Sequence, residues 1–504
     1  MVAPKYLLTA GLAALVAGCT AQQASEGPSP ASFPALAGAD RCATVTPAML
    51  GATTASGKWV EEANGLPGFC EVTANLSPVA GSNIGVVYRL PASWNGKVLT
   101  FGGGGWIGNI ALQTASEGLR KGYATLQTDG GHPIGNVWDN AWAANPEQAK
   151  DFSYRAIHET TVAGKALVSA YYGQPHRRAY YQGCSTGGRM GLMEAQRYPD
   201  DFDAISAGAP VYTLQTQTSA VLRGQTFAKD GGGFSATDLQ LAQGAALEAC
   251  DATDGFKDGL INDPRQCRWD PAELLCTAGK SDSCLSAPQV AALRAAYEGV
   301  RAPDGEWAML PMSRGGEAGW AAFVGTAGDG KDPSNGGGLG GLLPLMFDPP
   351  PTLAALTLDQ VMTVRRSEFA RIYEAKDPDL RPFFRSGGKL LLWHGESDPG
   401  PSPVATNDYF KAVLARAPAA SSQARYFLYP GVGHCAGGPG ADQVGVLDAL
   451  AEWDETGQAP DVLIGTKANG SLTRPHCAWP NVARYRGTGD ANDTASWQCM
   501  PRSS

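Results

Sequence analysis

At 504 residues the chain is longer than a usual single domain, so we expect two domains or one domain with a large insertion. Its residues are 43% hydrophobic and 17% charged, which is typical of a globular protein and excludes a disordered chain. The net charge is -9 and no basic run is present, which argues against nucleic acid as a partner because phosphates require clusters of Lys and Arg.

The first 40 residues have the pattern of an exported protein. Residues 1–18 are predicted to be a lipoprotein-type signal peptide, in which Lys5 precedes an uncharged stretch. The box Val16-Ala17-Gly18-Cys19 favours lipidation of Cys19 and outer-membrane sorting, and ordinary cleavage that removes Cys19 is the alternative. Residues 19–40 are predicted to be a flexible tether. We therefore expect an outer-membrane lipoprotein or a periplasmic or extracellular protein, which meets a membrane only through a lipid at Cys19.

Short apolar runs alternate with helical patterns over residues 41–210 and again over residues 386–504. Strands are predicted at 86–90, 98–101, 124–128, 179–181, 204–207, 389–393 and 425–429, and helices at about 155–172, 190–195 and 444–455. This alternation predicts an α/β fold with a parallel sheet covered on both faces. It breaks down over residues 211–385, which are predicted to form an inserted lid domain in a catalytic domain of residues 41–210 and 386–504.

The hexapeptide Gly183-Cys184-Ser185-Thr186-Gly187-Gly188 lies between a predicted strand and a helical pattern. Strand, Gly-x-Ser-x-Gly and helix is the context of the nucleophile elbow of a serine hydrolase. The alternative is a glycine-rich turn whose serine caps the next helix. Because a serine hydroxyl needs an adjacent base that is oriented by a carboxylate, the rest of the chain decides between the two.

His434 is predicted to be this base. In α/β-hydrolases the order along the chain is Ser, acid, His. The chain has six histidines, and the other five precede Ser185, precede the nearest acid or lie in the C-terminal tail. Asp398 follows the strand predicted at 389–393 and is the expected acid, with Glu396 and Asp408 as competitors. A turn aspartate before a proline is the other interpretation of Asp398.

The oxyanion hole needs two main-chain N–H groups directed at the developing negative charge. One is expected from Thr186, which follows the predicted nucleophile. The other is expected from the glycine run after the strand at 98–101. Gly103 is the first choice there, Gly102 and Gly104 remain open, and a flexible hinge is the alternative.

Removing Cys19 from the eleven cysteines leaves ten, an even number that indicates disulfides in an exported chain. The sequence does not determine their connectivity, but pairing near neighbours gives Cys42–Cys70, Cys250–Cys267, Cys276–Cys284 and Cys477–Cys499. Cys184 and Cys435 are then left over. One lies beside Ser185 and the other follows His434.

Five segments resemble the tannase and feruloyl esterase family: Gly183–Arg189, Tyr198–Asp203, Ala207–Pro210, Trp393–Asp398 and Gly433–Gly440. The resemblance covers most of the chain after about Arg41. It implies an α/β-hydrolase fold with a lid, a Ser185–Asp398–His434 triad and a disulfide between Cys184 and Cys435.

The resemblance also implies an activity, that of a serine carboxylic ester hydrolase acting on esters of small aromatic acids through an acyl-enzyme. A feruloyl esterase is expected first, and a tannase or a mono(2-hydroxyethyl) terephthalate hydrolase is the alternative. From another class of protein, an inactive surface-binding lipoprotein is the competing hypothesis. The sequence makes no prediction of oligomeric state.

A structural calcium in the lid is implied as well, and no organic cofactor is expected. The expected ligands are the carboxylates of Asp251, Asp254 and Asp258 and the carbonyl oxygens of Phe256 and Leu260. Carboxylate and carbonyl oxygens are the hard donors that Ca²⁺ prefers. Without the resemblance, a solvated Asp-Gly turn would explain the loop equally well.

Residues that contact the substrate are the hardest to identify. His394, next to the acid, is expected to line the pocket, with a packed structural histidine as the alternative. Lid residues considered as contacts are Trp307, Trp320, Phe347 and either Arg365 or Arg366.

Overall fold

The computed structural model describes residues 38–106, 110–132, 138–229, 231–321 and 336–502. The predicted signal peptide, Cys19 and nearly all of the tether lie outside these residues. The strands are β1 (Thr54–Val60), β2 (Phe69–Leu76), β3 (Ile84–Pro91), β4 (Lys97–Phe101), β5 (Ala124–Thr128), β6 (Arg178–Cys184), β7 (Ala204–Gly208), β8 (Val300–Arg301), β9 (Trp307–Met309), β10 (Lys389–Gly395), β11 (Ala424–Tyr429), β12 (Gln443–Val444), β13 (Val462–Thr466), β14 (Thr473–Cys477), β15 (Asn481–Tyr485) and β16 (Trp497–Pro501).

The α-helices of the described residues alternate with these strands on either side of a long insert. They are α1 (Ala39–Cys42), α2 (Ser116–Arg120), α3 (Pro146–Lys150), α4 (Ala156–Tyr172), α5 (Thr186–Arg197), α6 (Gln215–Ala228), α7 (Ala236–Cys250), α8 (Ala287–Glu298), α9 (Leu339–Leu342), α10 (Leu358–Arg365), α11 (Glu368–Tyr373), α12 (Arg381–Arg385), α13 (Pro403–Arg416) and α14 (Val446–Thr456). Within the described part of the chain, no helix is both long and apolar enough to cross a bilayer.

The main sheet has the strand order β1-β2-β3-β5-β4-β6-β7-β10-β11. From β5 to β11 neighbouring strands run parallel, as predicted, but β1, β2, β3 and β5 pair antiparallel, so the sheet is mixed. The antiparallel edge has no crossover helices, and its first strand alternates between exposed and half-buried residues. Because β4, β6, β10 and β11 are parallel, their carboxyl ends meet at one edge of the sheet.

Helices cover both faces of the parallel part of the sheet. Successive side chains of a strand point to opposite faces. Tyr181 and Leu392 accordingly pack with buried residues of α4, α5 and α13, whereas Tyr180 and Leu391 pack with buried residues of α14. This double burial explains why the strands are almost continuously apolar and why their positions could be predicted.

The insert between β7 and β10 of the main sheet begins with helices of moderate length and short irregular segments. Ser235 and Ser286 begin α7 and α8 with capping boxes, in which the serine side chain accepts a main-chain N–H of the first turn. An apolar cluster that includes Phe227, Trp269 and Trp320 forms the core of this region. Leu36–Ser504 group as one compact unit. That residues 211–385 act as a separate lid domain stays a prediction.

Two small antiparallel sheets follow the last strand of the main sheet. One has the order β12-β13-β14 and the other pairs β15 with β16. His476, which the sequence analysis placed in a terminal tail, lies in β14 and is 1% exposed. The C-terminal region is therefore folded structure, and it joins the main sheet through a β-bridge between Phe427 and Ala478.

Candidate active site

A single residue, Ser185, connects β6 to α5. Its φ of 63° and ψ of -123° are unfavourable for a residue with a side chain and are typical of strained functional turns. A Cβ on Gly183 would lie 2.6 Å from the backbone of Gly187, and a Cβ on Gly188 would lie 2.3 Å from the carbonyl oxygen of Gly208. The motif therefore needs its glycines because the turn packs tightly against its own helix and against β7.

Ser185, His434 and Asp398 form a hydrogen-bonded row at the carboxyl edge of the sheet. The Ser185 Oγ lies 2.8 Å from Nε2 of His434, and Nδ1 of His434 lies 2.7 Å from an Asp398 oxygen. Because a carboxylate only accepts hydrogen bonds, Nδ1 carries the proton and Nε2 is left to accept the serine hydroxyl. The three residues follow β6, β11 and β10, whose carboxyl ends the strand order brings together.

Asp398 is the buried end of this row. Its carboxylate accepts the main-chain N–H of Gly400 at 2.8 Å and faces the imidazole of His394 at 3.2 Å, in addition to that of His434. Burial alone would raise the pKa of Asp398, but the two imidazoles and their hydrogen bonds outweigh burial and lower the pKa to about 2. Asp398 is therefore ionised at neutral pH.

His394 does not line the pocket, which corrects the prediction from the sequence. The side chain is fully buried, with Nε2 facing Asp398 and, at 3.2 Å, the carbonyl oxygen of Pro401. Both of these groups are acceptors, so Nε2 carries the proton and Nδ1 accepts the hydroxyl of Thr406 at 2.9 Å. The reason is that β10 extends to Gly395, so His394 is still part of the sheet and faces α13.

The two other acids considered for the role of Asp398 lie elsewhere. Glu396 is fully buried, and its oxygens pair with the guanidinium groups of Arg265 and Arg502. Asp408 is exposed on α13. Among these three acids, only Asp398 hydrogen-bonds His434.

The glycine run after β4 lies beside the first turn of α5. The N–H of Gly102 donates to the carbonyl oxygen of Gln182 at 3.1 Å, so it belongs to the hydrogen bonding of the sheet. Gly103 and Gly104 are the remaining glycines considered for the oxyanion hole. Thr186 begins α5, where the first N–H groups of a helix have no intrahelical acceptor, and its hydroxyl donates to the carbonyl oxygen of Gly105 at 2.7 Å.

Covalent and main-chain bonds join the loops that carry the row. A disulfide links Cys184 to Cys435, whose Cα atoms are 6.0 Å apart. The N–H of Glu396 donates to the carbonyl oxygen of Tyr429 at 2.9 Å, which joins the loop of Asp398 to that of His434. The remaining disulfides are Cys42–Cys70, Cys250–Cys267, Cys276–Cys284 and Cys477–Cys499.

A cleft of about 240 Å³ opens beside Ser185 and His434. Its wall is largely apolar and includes two tryptophans, which suits a small aromatic molecule. The other described residues that line it are Gly105, Trp106, Trp138, Thr186, Val211, Thr216, Gln217, Ala220, Arg223, Gly337, Gly400 and Pro401.

The insert residues considered as substrate contacts are not among the described residues of this wall: Trp307, Trp320, Phe347, Arg365 and Arg366. Trp320 is buried in the core of the insert, and Arg365 donates to the main chain of Trp307 at 2.7 Å. The residues that do line the cleft could have been found from their position along the chain. Trp106 directly follows the glycine run and residues 211–217 follow β7, and loops after parallel strands form the ligand site of such sheets.

The loop predicted to hold calcium places Asp251 and Asp254 in buried positions. Burial and the nearby carboxylates of Asp258 and Asp251 raise the pKa of Asp254 to about 7. The N–H of Phe256 donates to Asp254 at 2.9 Å. Buried carboxylates that repel one another are the donor set that a hard cation would neutralise, so these residues fit Ca²⁺.

The third carboxylate of this loop already has a positively charged partner. Asp258 accepts a hydrogen bond from Nε of Arg474 at 3.0 Å and from the main-chain N–H of Leu260 at 3.2 Å. Asp258 is thus held to the C-terminal region by an ion pair, whereas Asp251 and Asp254 are bonded to groups of their own segment.

A second set of possible metal ligands, which the sequence analysis did not single out, lies between α4 and α5. The ligand atoms of His158, Glu194 and Asp201 are all within 4.8 Å of one another. Nδ1 of His158 lies 2.6 Å from Asp201, and burial followed by the charge of Asp201 raises the pKa of Glu194 well above its ordinary value.

Comparison with known proteins gives matches along most of the chain. A family model described as tannase and feruloyl esterase matches residues 70–324 and 347–500. A mono(2-hydroxyethyl) terephthalate hydrolase from Piscinibacter sakaiensis is 32% identical over 86% of this chain and 85% of its own. A probable feruloyl esterase B-1 from Aspergillus oryzae is 30% identical over 86% of this chain and 84% of its own. The crystal structure of feruloyl esterase B from Aspergillus oryzae superposes with a TM-score of 0.82 at 28% identity and covers 92% of this chain and 100% of that chain.

Proposed function

This chain belongs to the tannase and feruloyl esterase family and is a carboxylic ester hydrolase, and we propose that it releases small aromatic acids with Ser185 as nucleophile. The single observation that carries this proposal is the row in which Ser185 lies 2.8 Å from His434 and His434 lies 2.7 Å from Asp398.

In the proposed mechanism Nε2 of His434 takes the hydroxyl proton while the Ser185 Oγ attacks the ester carbonyl. The imidazolium then returns the proton to the alkoxide that leaves, and the acyl group stays on Ser185. Water, deprotonated by the same imidazole, releases the acid. Asp398 stabilises the imidazolium and fixes its tautomer, and its lowered pKa of about 2 keeps it ionised throughout.

The negative charge of each tetrahedral intermediate needs two N–H donors. We propose the amides of Thr186 and Gly103 for this role. The position of Thr186 at the first turn of α5 supports the first choice, and the commitment of the Gly102 amide to Gln182 favours Gly103 over Gly102.

A phenolic ester of the feruloyl type is the substrate class we propose first. The tryptophan-bearing cleft of about 240 Å³ supports an aromatic acyl group. A relative that is a mono(2-hydroxyethyl) terephthalate hydrolase supports that ester as the second candidate, and a galloyl ester is the third.

Calcium would be held by Asp251, Asp254 and Asp258, with Phe256 and Leu260 as main-chain ligands. Bound there, it would neutralise buried carboxylates and stabilise the insert, and it takes no part in the ester chemistry. We propose further that the protein is exported, which its disulfides support. Anchoring by a lipid on Cys19 concerns a residue outside the described ones and rests on the sequence motif.

The test combines labelling with a substrate panel. A fluorophosphonate probe should label the wild type and should fail to label Ser185→Ala, whose turnover should fall by about 10⁴-fold or more while its melting temperature changes little. The panel comprises methyl ferulate, methyl gallate, chlorogenate and mono(2-hydroxyethyl) terephthalate. Labelling that persists in Ser185→Ala would overturn the nucleophile, and an inert wild type would favour a binding lipoprotein.

A further inference from the structure

Glu396 precedes the proposed catalytic acid by two residues and belongs to a buried network of alternating charges. It lies in the acid loop, residues 396–402, and its side chain is fully buried. Its two oxygens face the guanidinium of Arg265, with one separation of 3.1 Å, and one of them also lies 3.4 Å from Arg502. Two arginines therefore converge on a carboxylate that takes no part in the row of Ser185, His434 and Asp398.

Asp263 completes this network. One of its oxygens lies 3.0 Å from Arg265 and 2.6 Å from Arg502, so each acid contacts both bases. Burial alone would lower the pKa of Arg265, but Glu396 and Asp263 raise it above its ordinary value. We call Asp263, Arg265, Glu396 and Arg502 the charge quartet. Its formal charges cancel, which favours holding two buried carboxylates beside two partly buried guanidinium groups.

The other three members of the charge quartet come from segments that disulfides constrain. Asp263 and Arg265 lie between Cys250 and Cys267, which are bonded to each other. Arg502 follows β16, whose Cys499 is bonded to Cys477. The quartet thus fastens the acid loop to two regions outside the main sheet, and paired charge-assisted hydrogen bonds determine both position and orientation.

Movement of Glu396 would move Asp398. The N–H of Glu396 donates to Tyr429 at 2.9 Å and the N–H of Ser397 donates to Val432 at 3.0 Å, so the loop runs along the segment that leads to His434. An oxygen of Asp398 lies 2.7 Å from Nδ1 of His434, so a small displacement of the acid loop would weaken this hydrogen bond. Misplacing a catalytic group by about 1 Å costs about 10²-fold in rate.

We propose that Glu396 is a positioning residue, which acts through the charge quartet to hold Asp398 against His434. This inference rests on the proposed function, because it assumes that Asp398 is the acid of the triad. It assigns a role in turnover to residues of the insert and of the C-terminus that contact no substrate.

The experiment measures kcat and KM for 4-nitrophenyl butyrate in a double-mutant cycle of Glu396→Gln and Asp398→Asn. Glu396→Gln alone should lower kcat by about 30-fold and change KM by less than about twofold, since it misplaces the acid without touching the cleft. In the Asp398→Asn background the same change should lower kcat by less than about twofold, because the carboxylate to be positioned is gone.

Asp454→Asn is the matched control. Asp454 is also a buried carboxylate held by two cations, Arg178 at 2.8 Å and Lys389 at 2.7 Å, but it pairs with the opposite end of β10. Its replacement should lower the melting temperature and leave kcat within about twofold in both backgrounds.

Three results would be decisive. Equal losses from Glu396→Gln in both backgrounds, or an unchanged kcat, would overturn the positioning role while leaving the triad intact. An unchanged kcat in Asp398→Asn would overturn the proposed function itself. If Glu396→Gln does not fold, Arg265→Gln, whose side chain is 30% exposed, replaces it in the cycle with the same expected pattern.

Discussion

Two buried aspartates, one at the edge of the sheet and one in the insert, have opposite electrostatic surroundings. Asp398 faces two imidazoles, and its pKa falls to about 2. Asp254 lies near two other carboxylates, which together with burial raise its pKa to about 7. The polypeptide therefore supplies the charge balance of the first site, whereas at Asp254 burial and the neighbouring carboxylates outweigh the nearby positive charge of Arg484.

This difference teaches that the two regions contribute to different properties. The edge of the sheet holds Ser185, His434 and Asp398 through strand order and a disulfide, so its defects should appear in turnover. The insert has its own apolar core, cross-links and ion pairs, which lie away from Ser185, so most of its defects should appear in stability. The charge quartet is the exception, because it joins the two regions.

Among changes that compare these two regions, the largest expected effect comes from the disulfides. Replacing Cys184 and Cys435 together by alanine should lower kcat by about 10²-fold, because the loops of Ser185 and His434 lose their link, and it should lower turnover more than melting temperature. Replacing Cys276 and Cys284, whose bond lies in the insert outside the segments of the charge quartet, should lower the melting temperature and leave kcat within about threefold. Kinetics at a temperature where both variants are folded by circular dichroism test this. Near-normal turnover in the first variant would refute a role of the bond in positioning.

The second largest effect is expected from removal of calcium, which should affect the insert and not the edge of the sheet. Chelation should lower the stability of the protein by about 3 kcal/mol relative to calcium at 100 times its dissociation constant, and readdition should restore it. Asp254→Asn should abolish this response, and Glu71→Gln, in an ion pair of β2 and β3, should leave it intact. Thermal unfolding monitors both. A melting temperature that is indifferent to calcium would remove the proposed site.

Acidification should remove the stabilisation that the lowered pKa of Asp398 gives to the fold. The folded-state pKa of about 2 lies below the usual 3.8, so the group stabilises the fold above pH 4 and this stabilisation is lost as the pH falls towards 2. The difference corresponds to about 2 kcal/mol. Urea unfolding of the wild type and Asp398→Asn from pH 5 to pH 2.5 should show their difference in free energy shrinking. A difference that does not vary with pH would contradict the lowered pKa.

The smallest expected effect concerns His394. His394→Asn removes the second imidazole that faces Asp398, so kcat should fall by about tenfold with little change in KM. His476 is an equally buried histidine, bonded to the carbonyl oxygen of Ala441 at 2.9 Å, and serves as the control. His476→Asn should lower stability and leave kcat unchanged. A raised KM in His394→Asn would instead indicate that this residue contacts the substrate.

Much of the fold could be predicted because it rests on local patterns. The parallel strands are buried on both faces and are mostly apolar, which made β4 to β7, β10 and β11 visible. β3 was visible for the same reason, because it is almost entirely buried although it pairs antiparallel. β1 was missed because its exposed and half-buried residues carry no such signal. The small sheets near the C-terminus were missed because their strands are short, and β14 and β15 are rich in polar residues.

By itself the sequence determined the turn around Ser185, the strand-end positions of the loops and the even set of cysteines, since these depend on residues close together in the chain. Only the tertiary structure decided which acid meets His434, that His394 stands behind Asp398, and that Glu396 belongs to the charge quartet. The physical reason is that these contacts join segments of the chain as far apart as residues 263 and 502. Strand order and register bring such segments together, and neither can be deduced from local propensity.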